Sequence, residues 1–428
     1  MTLPEEFQAY TREMMGPQRY ATFVEALQQE PMTSIRLNPA IAQPLQQQPV
    51  PWCRHGYYLD SRPNFTFDPL FHAGLYYVQE PSSMFLDLVL QQHLFSSLPN
   101  EGGAGAGLSF LDLCAAPGGK STLIHSALPE NSLLVCNEPN RQRVQVLSEN
   151  MQKWMLPSVQ SQKATRCMVT NNLPSDFRRA RLTFDAILCD VPCSGEGMFR
   201  KDPATIGEWS AANVRNCAAL QREIVSDAWQ CLVPGGLFIY STCTLNTQEN
   251  EENIQWMIDE LHAEPLSVDI QPSWNITGSL LPTLKAPVYR FIPGFTKGEG
   301  LFMAVMRKRR EKRGEGTPII EREKECKKLE KSLSSLLTPI SSLFLQEIRE
   351  ALQTNAPIVD LTYQQAIAYL RREAITLPPD TPRGIVVVVF QGHPLGIAKN
   401  VGNRANNLYP KSWRILSTHV PNQQPTIL

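Results

Sequence analysis

Residues 111–124 read LDLCAAPGGKSTLI: an apolar strand runs into a proline–glycine turn and straight on into the start of a helix. Glycine lets such a turn close and lets backbone approach a ligand, while the free amides of a helix start favour polar or negative groups. A small-ligand site is expected here, and the ligand decides the fold. A phosphate-binding loop is the first reading, because GKS at 119–121 matches the end of G-x-x-x-x-G-K-[ST]. Position 114 is cysteine where that motif needs its first glycine, and Pro117 removes an amide from the cradle. A dinucleotide fold is the second, but the glycines at 102–107 precede the strand instead of following it. The third is an S-adenosylmethionine site, with the turn around the methionine portion and an acid after the next strand on the ribose. Glu138, eighteen positions after Lys120, has that placement, although alone it also suits a helix N-terminal acid.

Outward from this turn, apolar strands alternate with amphipathic helices: LSFLDLC (108–114), SLLVCNE (132–138), RCMVTN (166–171), FDAILCD (184–190), GLFIYSTC (236–243) and GLFMAVMRK (300–308). That alternation predicts a mainly parallel sheet with helices on both faces, a doubly wound α/β domain. Ligands of such sheets bind outside the carboxyl ends of the strands, where Gly118, Glu138, Asp190, Cys193 and Cys243 all fall.

The flanks read differently. Phe7, Tyr10 and Met14, then Tyr20, Phe23 and Leu27, recur at helical spacing and predict a small helical N-terminal region, followed by an aromatic-rich stretch at 56–85. Residues 307–331 are charged and read as a linker. Beyond them, 334–375 look helical and GIVVVVF with the following glycine-rich segment reads as a small β module. The expected division is 1–70, an N-terminal region; 71–308, the α/β core; 309–333, a linker; and 334–428, a C-terminal domain.

Composition narrows the class. With 42% apolar and 19% charged residues the 428-residue chain is globular, and its net charge of −1 announces no nucleic-acid partner, so any basic surface is local. Ten cysteines without CxxC pairs argue against a disulfide framework and against a zinc site, so no metal is expected. The absence of an 18-residue apolar run and of a signal-peptide pattern makes the cytoplasm the expected compartment and rules a membrane partner out.

Cys193 in CDVPCSGEGMF and Cys243 in YSTCTLN raise the question of chemistry. Carbon 5 of a pyrimidine becomes nucleophilic once a thiolate adds at carbon 6, and a base must later remove the carbon-5 proton so that the thiolate can leave. A pair of cysteines at neighbouring strand ends suits those two steps, although either one alone reads as an inert buried thiol.

CAAPGGK, NEPNRQRVQVLSEN, FDAILCDVPCSGEGMFRKDP and GGLFIYSTCTLNTQENE resemble, in order, the motifs of the Sun family of RNA (cytosine-5) methyltransferases. GHPLGIAKNVGNRANNLYPKSWRI resembles the PUA-like extension of its bacterial ribosomal-RNA branch, called RsmF-like. The resemblance implies a Rossmann-like S-adenosylmethionine-dependent core, an N-terminal helical RNA-binding region and a C-terminal PUA-like α+β domain. It implies Cys243 as nucleophile, Cys193 in product release, and Asp190 and Lys120 beside the reacting base. It implies S-adenosylmethionine held by Cys114, Ala115, Ala116, Pro117, Gly118, Gly119 and Lys120, by Glu138 and Asp190, and by an amide after the third strand, Asn171 or its neighbour Asn172. The chain departs from the family at Thr244, where serine is frequent, and at Gly294, where a histidine often stands.

The target must be an unpaired or flipped-out cytosine. Arg36, Arg200, Lys201, Lys399, Arg404, Lys411 and Arg414 are expected phosphate contacts, with Tyr409 and Trp413 as stacking partners. The RsmF-like extension alone favours 16S ribosomal RNA or the small subunit, with a monomeric enzyme. A transfer-RNA methyltransferase, a non-catalytic assembly factor and an NTPase are the competing classes.

Overall fold

The computed structural model describes residues 2–40, 44–94, 107–158, 165–310, 319–336, 339–340, 343–402, 404–417, 419–425 and 427–428. Helices α1 (Glu5–Met15) and α2 (Pro17–Ala26) open the chain. Phe7, Tyr20, Phe23 and Leu27 are buried, Tyr10 and Met14 half-buried, and Phe7 packs edge-on against Phe199 and Trp209 of the core at 5.1 and 5.4 Å. The segment that follows, including the aromatic stretch, is largely strand. Strands β1 (Thr33–Leu37), β2 (Gly56–Leu59) and β3 (Tyr76–Val78), with the short α3 (Pro69–His72), form an antiparallel sheet of order β2-β1-β3. Because Ile35 pairs with Val78, this unit runs past the expected boundary at residue 70. β1 and β2 are buried on both faces, and β-branched and aromatic residues favour the pleated strand there over a helix.

After α4 (Phe85–His93) the alternating pattern produces β4 (Ser109–Asp112), α5 (Gly119–Ala127), β5 (Leu133–Asn137), α6 (Arg141–Met155), β6 (Arg166–Thr170), α7 (Pro174–Arg179) and β7 (Phe184–Asp190). It continues as α8 (Ala204–Glu208), α9 (Ala211–Gln230), β8 (Leu232–Thr242), α10 (Glu251–Leu261), β9 (Glu264–Pro265), β10 (Tyr289–Phe291) and β11 (Leu301–Arg307). All six expected strands are present. Together with β9, β10 and β12 (Pro339–Ile340) they build a nine-stranded sheet of order β10-β11-β8-β7-β4-β5-β6-β12, with β9 on β11. The central five strands are parallel and β11 runs antiparallel to β8. The chain winds from β4 outward through β5 and β6, then returns to β7 on the other side, so the crevice between β4 and β7 is the topological switch point.

The expected linker at 309–333 is partly an element of the core. Helix α11 (Ile319–Leu336) buries Cys326 and Leu333 against the sheet's helical layer, and Glu330 pairs with Arg166 of β6 at 2.7 Å. The physical reason is a narrow stripe, Cys326, Leu329 and Leu333, spaced one helical turn apart among charges.

The C-terminal domain comprises α12 (Leu343–Gln353), β13 (Ile358–Asp360), α13 (Tyr363–Leu370), β14 (Gly384–Phe390), β15 (His393–Asn400) and β16 (Ala405–Asn407), with its strands in the order β13-β14-β15-β16. Its apolar core is continuous with that of the N-terminal sheet: Leu37, Phe67 and Tyr76 belong to one buried cluster with Phe344, Val387 and Ile397. The two flanking units thus hold each other across one side of the catalytic sheet.

Candidate active site

Asp112 ends β4, and the chain turns through Cys114–Gly118 into α5. Gly118 adopts φ +112°, which a side chain rarely does, and an added Cβ would meet Leu147 Cδ1 at 3.3 Å. The turn is braced from outside. Ala115 N donates to Asn137 O at 2.8 Å, Arg143 donates to Ala116 O at 2.7 Å, and Asn150 donates to Pro117 O at 2.8 Å. A cavity of about 290 Å³ opens beside it. Its walls combine Asp112, Cys114–Pro117, Gly119 and Lys120 with Asp190 and Cys243, and the N-terminal sheet closes it with Tyr77 and Gln79.

Lys120 Nζ lies 2.9 Å from Asp190 Oδ2, and Ser241 Oγ donates to Asp190 Oδ1 at 2.6 Å. Burial alone would lower the Lys120 pKa, but the charge and hydrogen bond of Asp190 outweigh it and the net shift is upward. The side chain is an ammonium held on a carboxylate, which is not the phosphate-facing lysine of an NTPase loop. Cys193 Sγ and Cys243 Sγ stand 3.1 Å apart at the ends of the adjacent strands β7 and β8. The Cys193 thiol is pushed far up, first by its hydrogen bond to Cys243 and then by burial and the neighbouring charge of Cys243. Two thiols this close share one proton: whichever ionises first holds the proton on the other.

Glu138 is buried at the end of β5, accepts from Asn140 N at 2.9 Å and lies 3.6 Å from Arg143 Nη1. Asn171 commits its amide donors to Glu138 O and Pro139 O, at 2.7 and 3.0 Å, leaving its carbonyl oxygen to offer. Asn172 holds the same turn from the other side, donating its backbone amide to Asn137 Oδ1 at 3.0 Å and accepting from Asn137 Nδ2 on its carbonyl oxygen at 2.9 Å. Gly118, Glu138, Asn171 and Cys193 flank the cavity without forming its walls.

Sequence reasoning passed over Asp112. Its carboxyl is fully buried, Ser121 donates to Oδ2 at 2.6 Å, and Oδ1 has no partner although the residue lines the cavity. Burial raises its pKa to about 7, opposed by the Ser121 bond and assisted by Asp190. A buried acceptor left open in a carboxylate-rich cavity suits a ligand bearing positive charge, as the α-ammonium and sulfonium of S-adenosylmethionine do.

Several expected RNA contacts serve the fold instead. Arg36 is buried, stacks over Trp154 at 4.3 Å and donates to Gln79 and Thr122, because it lies on a strand between apolar neighbours. Arg200 is buried on Glu299 at 2.9 Å. Tyr409 is buried against Phe344 and Tyr369, and Trp413 is half-buried on Phe344. Lys201, Lys399, Arg404, Lys411 and Arg414 are exposed, and Lys201 stands at the cavity mouth.

A parallel sheet with this switch point, a glycine turn on β4 and paired acids at the strand ends defines an S-adenosylmethionine-dependent methyltransferase of the Rossmann-like class. Family models for "16S rRNA methyltransferase RsmB/F", "N-terminal domain of 16S rRNA methyltransferase RsmF" and "Methyltransferase RsmF PUA domain" match residues 105–307, 3–81 and 356–415. The Ribosomal RNA small subunit methyltransferase F of Salmonella agona is 30% identical over 485 aligned positions, covering 95% of this chain and 96% of that one. That of Pectobacterium atrosepticum is 34% identical over 332 positions, 72% of this chain and 63% of its own length. A methyltransferase homolog protein from Pyrococcus horikoshii shares the fold with a TM-score of 0.58 at 23% identity, over 71% of this chain and 95% of that one. The chain belongs to the RsmF family of rRNA methyltransferases.

Proposed function

We propose that this chain methylates carbon 5 of a cytosine in 16S ribosomal RNA, acting in the cytoplasm as a monomer. The carrying observation is the Cys193–Cys243 pair, 3.1 Å apart, beside the Lys120–Asp190 ion pair and the open cavity. S-adenosylmethionine, when bound, supplies an electrophilic methyl group. Cys114–Lys120, Asp112, Glu138 and Asn171 would hold it, the turn through backbone and the acids through charge.

Cys243, as thiolate, adds to carbon 6 of a flipped-out cytosine, and the displaced electron pair makes carbon 5 the nucleophile that takes the methyl group. Asp190, kept in place by Lys120 and Ser241, would accept from the exocyclic amine of the base. Bond formation removes the charge on Cys243, which is what held the proton on Cys193. Cys193 then ionises to solvent and takes the carbon-5 proton. The C–H electrons restore the 5,6 double bond, and Cys243 leaves as thiolate.

The cavity mouth and the C-terminal domain supply the RNA grip. Lys201 at the cavity mouth and the exposed Lys399, Arg404, Lys411 and Arg414 are the contacts that support it. The test is transfer of labelled methyl to naked 16S rRNA, isolated small subunits and transfer RNA, followed by nucleoside analysis. 5-Methylcytidine in the 16S arms supports the reading; label confined to transfer RNA, or no label in any arm, overturns it.

A further inference from the structure

Glu249 belongs to neither the cofactor cavity nor the cysteine pair, and it is completely buried. Its Oε2 accepts from Ser194 N at 3.0 Å and from Gln221 Nε2 at 2.7 Å, and its Oε1 accepts from Asn246 Nδ2 at 2.7 Å. All three partners are neutral donors, so the carboxyl acts only as an acceptor, as the ionised form does; burial raises its pKa, and the bonds from Ser194 and Asn246 oppose that rise. A buried carboxylate with no cation among its hydrogen-bond partners is costly to the fold and calls for a reason.

The reason lies in what it touches. Ser194 follows Cys193 directly, so the acid is bonded to the backbone of the Cys193 loop. The Cys243 loop meets it directly through Asn246, which also donates to Thr244 Oγ1 at 3.1 Å, and Thr244 meets Ser194 Oγ at 2.8 Å. Gln221 of α9 joins Glu249 to Pro192 O as well. The negative charge therefore sits behind Cys193. On the other side Lys120 faces Cys243, whose charge raises the lysine's pKa, and the charge of Glu249 in turn raises that of Cys193. The remaining groups around the pair are occupied or neutral. Asp190 is on Lys120, Glu196 accepts from Trp209 and Leu245 N, the Arg290–Glu251 pair fixes Leu245 O, the Tyr10 hydroxyl accepts from Thr247 N, and Cys217 of α9 is a thiol.

Resting on the function proposed above, we propose that Glu249 is a positioning residue that clamps the two cysteine loops together and directs the negative charge of the thiol pair to Cys243. The roles of the two cysteines are then set by an acid behind one and a cation before the other.

The experiment is brief alkylation of the full-length protein with iodoacetamide near neutral pH, with peptide mass mapping of Cys193 against Cys243. Wild type labels mainly at Cys243. In Glu249→Gln the Cys193 to Cys243 labelling ratio rises severalfold, whereas Gln221→Ala, which cuts a bond to the same carboxyl but keeps its charge, leaves the ratio near that of wild type. Thermal melting shows whether each variant is folded. Should Glu249→Gln not fold, wild type titrated downward in pH gives the same information, because protonation of Glu249 must erode the Cys243 preference. Equal ratios in wild type and folded Glu249→Gln, or a Gln221→Ala ratio that moves as far as that of Glu249→Gln, overturn the charge-directing role. The labelling needs no RNA, so its result stands apart from that of the methylation assay: methylation without a Glu249-dependent ratio refutes this inference alone.

Discussion

Cofactor affinity should depend on pH through Asp112. Its carboxyl is buried, holds only Ser121, and has an unpaired oxygen in a residue that lines the cavity. With a pKa of about 7 it is protonated below neutrality and ionised above. A ligand that presents an ammonium to it binds the ionised form, so below pH 7 binding must expel a proton. The sign follows: affinity rises as pH increases toward 7 and levels off beyond it. The slope approaches about tenfold per pH unit, since one unit of pKa corresponds to about 1.4 kcal/mol. The assay is isothermal titration of S-adenosylmethionine at pH 5.5, 6, 6.5 and 7 in buffers of different ionisation enthalpy, which counts released protons directly. At pH 6 nearly one proton should be released. Asp112→Asn can still accept from Ser121 but carries no charge. It should bind about 10- to 150-fold more weakly at neutral pH, the equivalent of one charged hydrogen bond of about 1.5–3 kcal/mol, with no proton release. A wild-type proton count of zero at pH 6, or an Asn variant with unchanged affinity, refutes the reasoning.

Other parts of the account make separate claims. Gly118→Ala forces a side chain into a left-handed turn at a cost of about 1–2 kcal/mol, so cofactor dissociation constants from titration should rise about 5- to 30-fold. Leu333→Ala should lower stability by about 2–4 kcal/mol in denaturant melts if α11 belongs to the core, and by almost nothing if it is a linker. Lys201→Ala should reduce the slope of log affinity for RNA against log salt by about 1, whereas Arg36→Ala should leave the slope unchanged and lower the melting temperature.

The catalytic sheet was legible because β-strands buried on both faces must be apolar throughout, and FDAILCD or GLFIYSTC admit few other structures. Functional side chains at strand ends inherited that clarity: Asp190, Cys193 and Cys243 lie where the doubly wound pattern put them. Asp112 stands inside the opening stretch and was missed, because an acid at the end of an apolar run does not show whether its oxygens are satisfied. Arg36 and Arg200 failed for the same reason in reverse. Charge in a sequence suggests exposure, while Trp154 and Glu299, far away along the chain, are what bury them. The apolar stripe of α11 was present but diluted by lysine and glutamate, and the N-terminal sheet was hidden by aromatics that fit a core in either secondary structure. Glu249 carried little signal, since only Asn246 among its donors is a near neighbour and Ser194 and Gln221 come from distant segments.

The division of labour between the thiols is most directly tested by the fate of the covalent intermediate. Wild type, Cys193→Ala and Cys243→Ala are each incubated with S-adenosylmethionine and 16S rRNA and run on denaturing gels. A protein–RNA adduct that accumulates in Cys193→Ala and is absent from Cys243→Ala is the predicted result. Methylation by Cys243→Ala at the wild-type rate, or an adduct that persists in Cys243→Ala and disappears from Cys193→Ala, contradicts it.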